Sequence, residues 1–333
     1  EEQFSTKVER KFGIAVSSGT AALDVAVEAL GIQKGDEVIL PTFTIISCVH
    51  QIVRSGAIPV LVDSDKVTWN MDISQIECKI TERTKAIMAV HIYGLPVNMD
   101  PLLEICEKYG LQLIEDAAEM IGQTYREKPC GSFGEISTFS FYPNKHITTG
   151  EGGMIVTDSK ELAEKCRSLR NLCFQKKQRF VHEQLGWNYR ITNLQAALGL
   201  AQMERLDESI ARKREIGRCY TELLSEVPGF QLPYDSVDFA KNIYWVYGMV
   251  LKNKIRFDAN IAMNRLAENK IGTRPFFWPL HEQPILRKMG FFKNQSYPVA
   301  ENLARRGFYL PSGLSLENDQ IGEVVRIIKE KLR

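Results

Sequence analysis

The run Ser137-Thr138-Phe139-Ser140-Phe141 has the continuous apolar character of a buried strand, breaks at Pro143, and delivers Lys145 beside a histidine and the turn T-T-G-E-G-G. A lysine carried to the end of a buried strand is held away from water, which disfavours its charged form and leaves an amine able to act as nucleophile or base. Two other apolar runs end in groups that complement it. Ile14-Ala15-Val16 leads into Ser17-Ser18-Gly19-Thr20 at the start of a helical stretch. Hydroxyls and free backbone N–H groups there suit a phosphate, although the same residues serve equally as an ordinary N-cap. Leu113-Ile114 leads into Glu115-Asp116-Ala117-Ala118-Glu119, carboxylates that read either as a helix cap or as partners for a cation. A phosphate cradle, an acid for a pyridine nitrogen and a Schiff-base amine are together what pyridoxal 5'-phosphate requires.

Such groups must be positioned by a framework, and the first half of the chain supplies one. Glu37–Leu40, Pro59–Asp63, Ala86–His91 and Leu111–Asp116 read as buried strands without polar alternation. Between them lie helical stretches, Thr20–Leu30 and Pro101–Tyr109, the second with proline at its first position and Gly110 after its end. Unalternating strands separated by helices predict an α/β fold whose mostly parallel sheet is covered on both faces, with ligands beyond the carboxyl ends of the strands. A single long helical pattern then runs from Thr192 to about Leu224, its apolar stripe giving way to charge. We place a domain boundary there, with a large α/β domain over 1–210 and a smaller C-terminal α+β domain over 211–333. In the latter, Ile243–Val250 reads as a strand, Asn260–Glu268 as a helix and Asn318–Leu332 as a closing amphipathic helix.

Several classes are disfavoured. A net charge of +1 gives no global reason to expect nucleic acid or an anionic membrane as partner. The longest apolar runs are far short of a membrane span. The chain opens E-E-Q-F without a secretory h-region, and its 7 scattered cysteines contain no C-x-x-C pair, so reduced thiols in a cytoplasmic protein are expected. With no H-x-x-x-H either, a protein-built metal site is not expected. Neither G-x-G-x-x-G after a strand nor G-x-x-x-x-G-K-[ST] occurs, which weakens the dinucleotide and nucleotide-hydrolysis readings of this topology.

Five motifs in order, S-S-G-T-A-A-L (17–23), E-D-A-A-E (115–119), G-S-F-G-E-I-S-T-F-S-F-Y-P-N-K (131–145), T-T-G-E-G-G-M (148–154) and G-W-N-Y-R-I-T-N-L-Q-A-A-L-G-L-A-Q (186–202), resemble the DegT–StrS family of sugar-nucleotide aminotransferases. The resemblance covers essentially the whole chain. It implies the aspartate-aminotransferase fold (fold type I), pyridoxal 5'-phosphate as cofactor, L-glutamate as amino donor, a keto-sugar nucleotide as acceptor, and a homodimer with shared active sites. By motif position Lys145 looks like the Schiff-base lysine, Asp116 the pyridinium partner, and Ser140 a phosphate ligand together with Gly19, Thr20 and Ala21. Asn188 and Arg190 match the motif that reaches into the neighbouring subunit's site. Glu119 stands where many members have Gln or His near the ring oxygen, and Ile45 where an aromatic ring often stacks on the cofactor. Family members also carry a longer stretch before the S-G-T turn, and this chain opens without Met, which points to a missing start.

The E-D-A-A-E form and T-F-S-F-Y-x-N-K with T-T-G-E-G-G-M look most like the GDP-perosamine synthase branch, whose enzymes aminate GDP-4-keto-6-deoxymannose, and so does the segment T-R-P-F-F-W-P-L-H-E-Q-P (273–284). Its Arg274, Phe276, Phe277 and His281 suit a base, a ribose and a diphosphate; a surface aromatic turn against a dimer partner is the plainer alternative. Other acceptors, such as UDP- or dTDP-linked keto sugars, remain open. Two further readings are a non-catalytic sensor on the same fold and a sugar dehydratase, because family members with histidine at the lysine position are dehydratases and His146 adjoins Lys145. The spacing from Ser140 favours Lys145.

Overall fold

The computed structural model describes residues 1–175 and 177–332. Seven strands form the central sheet: β1 (Phe12–Val16), β2 (Glu37–Pro41), β3 (Ile58–Val62), β4 (Thr84–Val90), β5 (Gln112–Asp116), β6 (Ile136–Ser140) and β7 (Gly153–Thr157), in the spatial order β1-β7-β6-β5-β4-β2-β3. Only β7 runs antiparallel to its neighbours; the ladder from β6 to β3 is parallel throughout. The expected fold is therefore borne out, with the two-faced burial that the apolar runs require. Ile14, Val38, Leu40 and Ile114 pack on one face with the helix Gly19–Ala29, while Ile39, Ile87 and Leu113 pack on the other with the helix Met99–Tyr109. Pro41 is tolerated at the end of β2 because its ladder partner there is Val62 of β3, the pairing with β4 having stopped at Ile39.

A second sheet has four antiparallel strands, β8 (Phe230–Gln231), β9 (Tyr247–Leu251), β10 (Arg274–Pro275) and β11 (Gly307–Leu310), ordered β8-β9-β11-β10. It shares a separate apolar cluster with the helices Leu206–Leu224, Ala259–Glu268 and Asn318–Lys331. No helix among the described residues is long and apolar enough to cross a membrane.

Three local expectations are corrected. The helix expected from Pro101 starts at Met99, so Pro101 is its third residue, still within the turn whose N–H groups have no intrahelical acceptor; Gly110 closes it at φ 62°. The long pattern 192–224 is two helices, Asn193–Met203 and Leu206–Leu224, broken at Glu204 and Arg205. No glycine or proline marks this break. It lets Leu206 and Ile210 bury against Gly122, while the preceding helix buries none of its residues and leaves Leu194, Leu198 and Leu200 exposed. The strand expected over Ile243–Val250 is ordered as β9 only from Tyr247, because the chain bends where Tyr244 takes φ 50° and donates its N–H to Asn242 Oδ1. That bend carries Trp245 to the carboxyl edge of the central sheet.

Candidate active site

The carboxyl ends of β1, β2, β4, β5 and β6 open into one cavity of about 340 Å³. Gly19, Thr20, Ile45, Asp116, Glu119, Ser140 and Lys145 all line it, so groups far apart in sequence share one wall. Trp245, Phe277 and Tyr309 close it from the C-terminal half of the chain.

The cradle sits at the N-terminus of the helix Gly19–Ala29. Ser18 is extended (φ −166°) and its Oγ accepts the Ala21 N–H at 3.0 Å. Ala21 is thus buried with its N–H engaged and does not line the cavity, unlike Gly19 and Thr20, whose N–H groups precede any intrahelical acceptor. Those two donors and the positive end of the helix dipole fit a phosphate. Thr20 Oγ1 and Ser47 Oγ lie 2.8 Å apart beside them. Gly19 is required by proximity: a Cβ there would come 2.8 Å from Cβ of Ser140. Gly19→Ala is expected to force the turn and Ser140 apart and to weaken cofactor binding about tenfold or more, read by spectrophotometric titration of the cofactor-free chain.

Glu115 and Asp116 are adjacent at the end of β5, so their side chains leave opposite faces of the sheet. Glu115 is buried on the far side, accepting N–H groups from Gly131, Phe133 and Gly134 and a hydrogen bond from Ser137 Oγ. His91 accepts the Val97 N–H at Nδ1 and hence donates from Nε2 to Glu115, 3.0 Å away. Burial opposes ionisation of Glu115, but these donors outweigh it and hold its carboxyl below the usual range. It is a fully paired anion that pins the 131–134 turn. Asp116 has fewer donors, Ala118 N–H at 3.0 Å and the Cys48 thiol at 3.3 Å, so burial prevails and raises its proton affinity. Cys48 in turn stands 3.2 Å from Thr44 Oγ1, and burial pushes the thiol's own pKa up, which keeps it a donor. A carboxylate under-supplied with donors at a cavity wall fits a protonated ring nitrogen.

Lys145 follows a tight turn in which its N–H donates to Tyr142 O at 2.9 Å. Its Nζ lies 3.9 Å from the centroid of the Trp245 ring. Burial depresses its proton affinity, while Glu119 and Asp116 oppose that. Glu119 accepts the Tyr93 N–H at 2.7 Å, and its pKa is raised to about 8, chiefly by burial, against an ordinary 4.5. A raised carboxyl pKa means stability that is complete below 4.5 and lost as pH climbs through about 8. The cofactor-free chain should accordingly lose thermal stability across that window. In Glu119→Gln, uncharged throughout, this part of the loss should vanish from calorimetric scans.

Of the remaining expected site residues only Phe277 lines the cavity. Arg190 donates to Asn188 and Asn171, and both Asn188 and Arg190 are exposed, with Arg190 on a different, mostly apolar groove beside the helix Asn193–Met203. Arg274 is exposed, but its cross-strand partner is Tyr309, which does line the cavity. Phe277 reaches the cavity; Phe276 does not, being buried against Tyr93 and Trp69 behind the wall. His281 is also no lining residue. It is buried between Thr42 Oγ1 at 2.8 Å and Glu301 at 3.1 Å, so it secures the end of β2 from behind. His146 faces inward to Ile243 O, away from the cavity. Sequence reasoning missed Trp245, Tyr309 and Cys48. Trp245 carried a signal only as one more aromatic in an assumed strand.

An amine, a carboxylate and a helix N-terminus at the ends of a mostly parallel sheet define a pyridoxal-phosphate-dependent transferase of fold type I. Residues 1–329 match the DegT/DnrJ/EryC1/StrS aminotransferase family, and the chain belongs to that family. It is 43% identical to the GDP-perosamine synthase of Escherichia coli O157:H7 over 331 residues (99% of this chain, 88% of that protein) and 39% identical to that of Vibrio cholerae over 329 residues (99% and 89%). Among solved structures it resembles S. venezuelae DesV at 33% identity and a TM-score of 0.91, covering 99% of this chain and 87% of that one. The expected aminotransferase activity and the pyridoxal 5'-phosphate cofactor are borne out by this membership.

Proposed function

We propose that the chain transfers an amino group from L-glutamate to GDP-4-keto-6-deoxymannose, forming GDP-perosamine, on a site built from Lys145, Asp116, Ser140 and the Gly19-Thr20 turn. The observation that carries the reading is the convergence of these groups on one cavity with Lys145 as its amine. Likeness to two GDP-perosamine synthases supports the acceptor. Bound pyridoxal phosphate supplies an electron sink for charge that develops on a substrate carbon. Asp116 would pair with the ring nitrogen and favour its protonation, the turn and Ser140 would hold the phosphate, and Glu119 would stand toward the ring oxygen. Ile45 gives apolar contact where a relative would stack an aromatic ring. Lys145, low in proton affinity through burial, would take up and return the substrate proton at Nζ. Trp245, Phe277 and Tyr309 exclude water from that transfer, and Arg274 stands behind Tyr309 at the sugar-nucleotide entrance.

The reading includes a homodimer. Leu194 and Leu198 leave one apolar helix face uncovered, and the groove on the opposite side, lined by Leu200, carries Arg190, which with Asn188 matches the motif that reaches a neighbour's site. Mixing inactive Lys145→Ala with inactive Arg190→Ala chains is expected to restore part of the activity, since mixed dimers regain one intact site. No recovery on mixing two dimeric variants would remove the shared site. For the acceptor, a panel of GDP-, UDP- and dTDP-linked keto sugars with glutamate, followed by mass spectrometry, should yield an amino sugar from the GDP substrate. Exclusive amination of a UDP or dTDP sugar would overturn that assignment while leaving the chemistry.

A further inference from the structure

The helix Leu206–Leu224 buries the stripe Leu206, Ile210, Lys213, Gly217, Tyr220 and Leu224, and one position of that stripe is a lysine. Lys213 is 5% exposed, and its Nζ donates to the backbone carbonyls of Trp245 at 2.9 Å and Ser312 at 2.7 Å. No carboxylate among the described residues forms an ion pair with it, so a cation is buried on two carbonyls alone. That is costly unless the position has work to do. Trp245 is held at its other end as well: Nε1 donates to Asn144 O at 3.0 Å, immediately before Lys145, and the ring stacks on Tyr93 at 5.8 Å. Its indole face carries Lys145 Nζ. The preceding residue, Tyr244, sits in the left-handed region at φ 50°, so the bend that delivers Trp245 needs fixing from outside.

We propose that Lys213 is a positioning residue of this site: a buried cation that clamps Trp245 beneath the Lys145 amine. Burial, and then Lys145, push the pKa of Lys213 down to about 8. Glu119 and Asp116 face Lys145 and favour its charged form, and the neutral Cys48 thiol lies beside Asp116. His146, next in the chain, faces Lys213, Lys145 and Arg214 and stays neutral, lowered to about 3 mainly by burial. Lys213 therefore acts on the reacting amine through Trp245, whose backbone it holds and whose ring lies against Lys145 Nζ.

The inference rests on Lys145 as the reacting amine, and its test separates the two claims. In cofactor-free protein, the pH dependence of Lys145 acylation is followed by peptide mass spectrometry. Trp245 helps bury Lys145, so Lys213→Met is expected to loosen that cover and move the midpoint to higher pH, with Lys145 reacting roughly threefold more slowly at neutral pH. Lys213→Arg should keep the wild-type midpoint. If Lys213→Met does not fold, Lys213→Gln, whose amide is too short to span both carbonyls, carries the test with the same expected shift. Combining Lys213→Met with Trp245→Phe should give less than the sum of the two single effects. A folded Lys213→Met or Lys213→Gln chain with lower Tm but an unmoved midpoint, or full additivity with Trp245→Phe, overturns the proposal. Failure of borohydride to fix the cofactor's mass on the Lys145 peptide would instead sink the functional reading, leaving the acylation result meaningful.

Discussion

Lys145→Ala is expected to lower turnover by at least about 10³-fold while leaving the fold intact, because it removes both the covalent anchor and the proton carrier from one wall. The cradle of Gly19, Thr20 and Ser140 and the carboxylate of Asp116 do not depend on the Lys145 side chain, so cofactor should still bind without a covalent bond. Borohydride reduction followed by mass spectrometry should find no cofactor mass on the peptide, and the visible band of the wild-type protein should disappear. Lys145→Arg should be as inactive, since a guanidinium stays charged at any working pH and cannot take up a proton. The reverse pattern, wild-type turnover in Lys145→Ala, would move the chemistry to another residue. His146 is the neighbour to consider, but its ring is buried and turned toward Ile243.

Asp116→Asn should reduce turnover on the order of 10²-fold or more through loss of the charge opposite the ring nitrogen. The amide oxygen can still accept the Ala118 N–H, so the geometry of the strand end should survive. Stability should move the other way. Burial raises the proton affinity of Asp116 above its ordinary value, which means its ionised form at neutral pH costs the cofactor-free fold some stability. A neutral asparagine escapes that cost, and Tm of the cofactor-free variant should equal or exceed the wild-type value at neutral pH. On the proposed reading the carboxylate serves the cofactor at the expense of the cofactor-free fold. A variant that loses activity only in proportion to unfolding would refute this division. The same logic assigns Cys48 a supporting part: Cys48→Ala removes a donor to Asp116 and should shift the pH profile of turnover without abolishing it.

The strands β1 to β6 were readable because burial on both faces imposes an uninterrupted apolar run, and each run ends where its polar cargo begins. Lys145, Asp116 and the S-S-G-T turn could be proposed as one site because a parallel sheet brings successive carboxyl ends to one edge. Less was legible where a residue's surroundings come from distant chain. Phe276 and His281 looked like ligand contacts by type, yet long-range packing on Tyr93 and hydrogen bonding to Thr42 and Glu301 turned them into supports. The break at Glu204 and Arg205 has no local breaker and arises from the demand that Leu206 and Ile210 bury.

By itself the order of residues determined the sheet, the strand ends and the chemical inventory of the site, since alternation, burial and capping are local properties written at spacings of two to four residues. Only the tertiary structure decided that Glu115 is a buried pin and Asp116 a wall of the cavity, that Trp245 leaves its strand to lie under Lys145, and that Lys213 is a buried clamp rather than a solvated side chain. In each case the environment is made by segments far apart in sequence. The free energy of a polar group depends on that environment, on water excluded and partners supplied, more than on its neighbours along the chain.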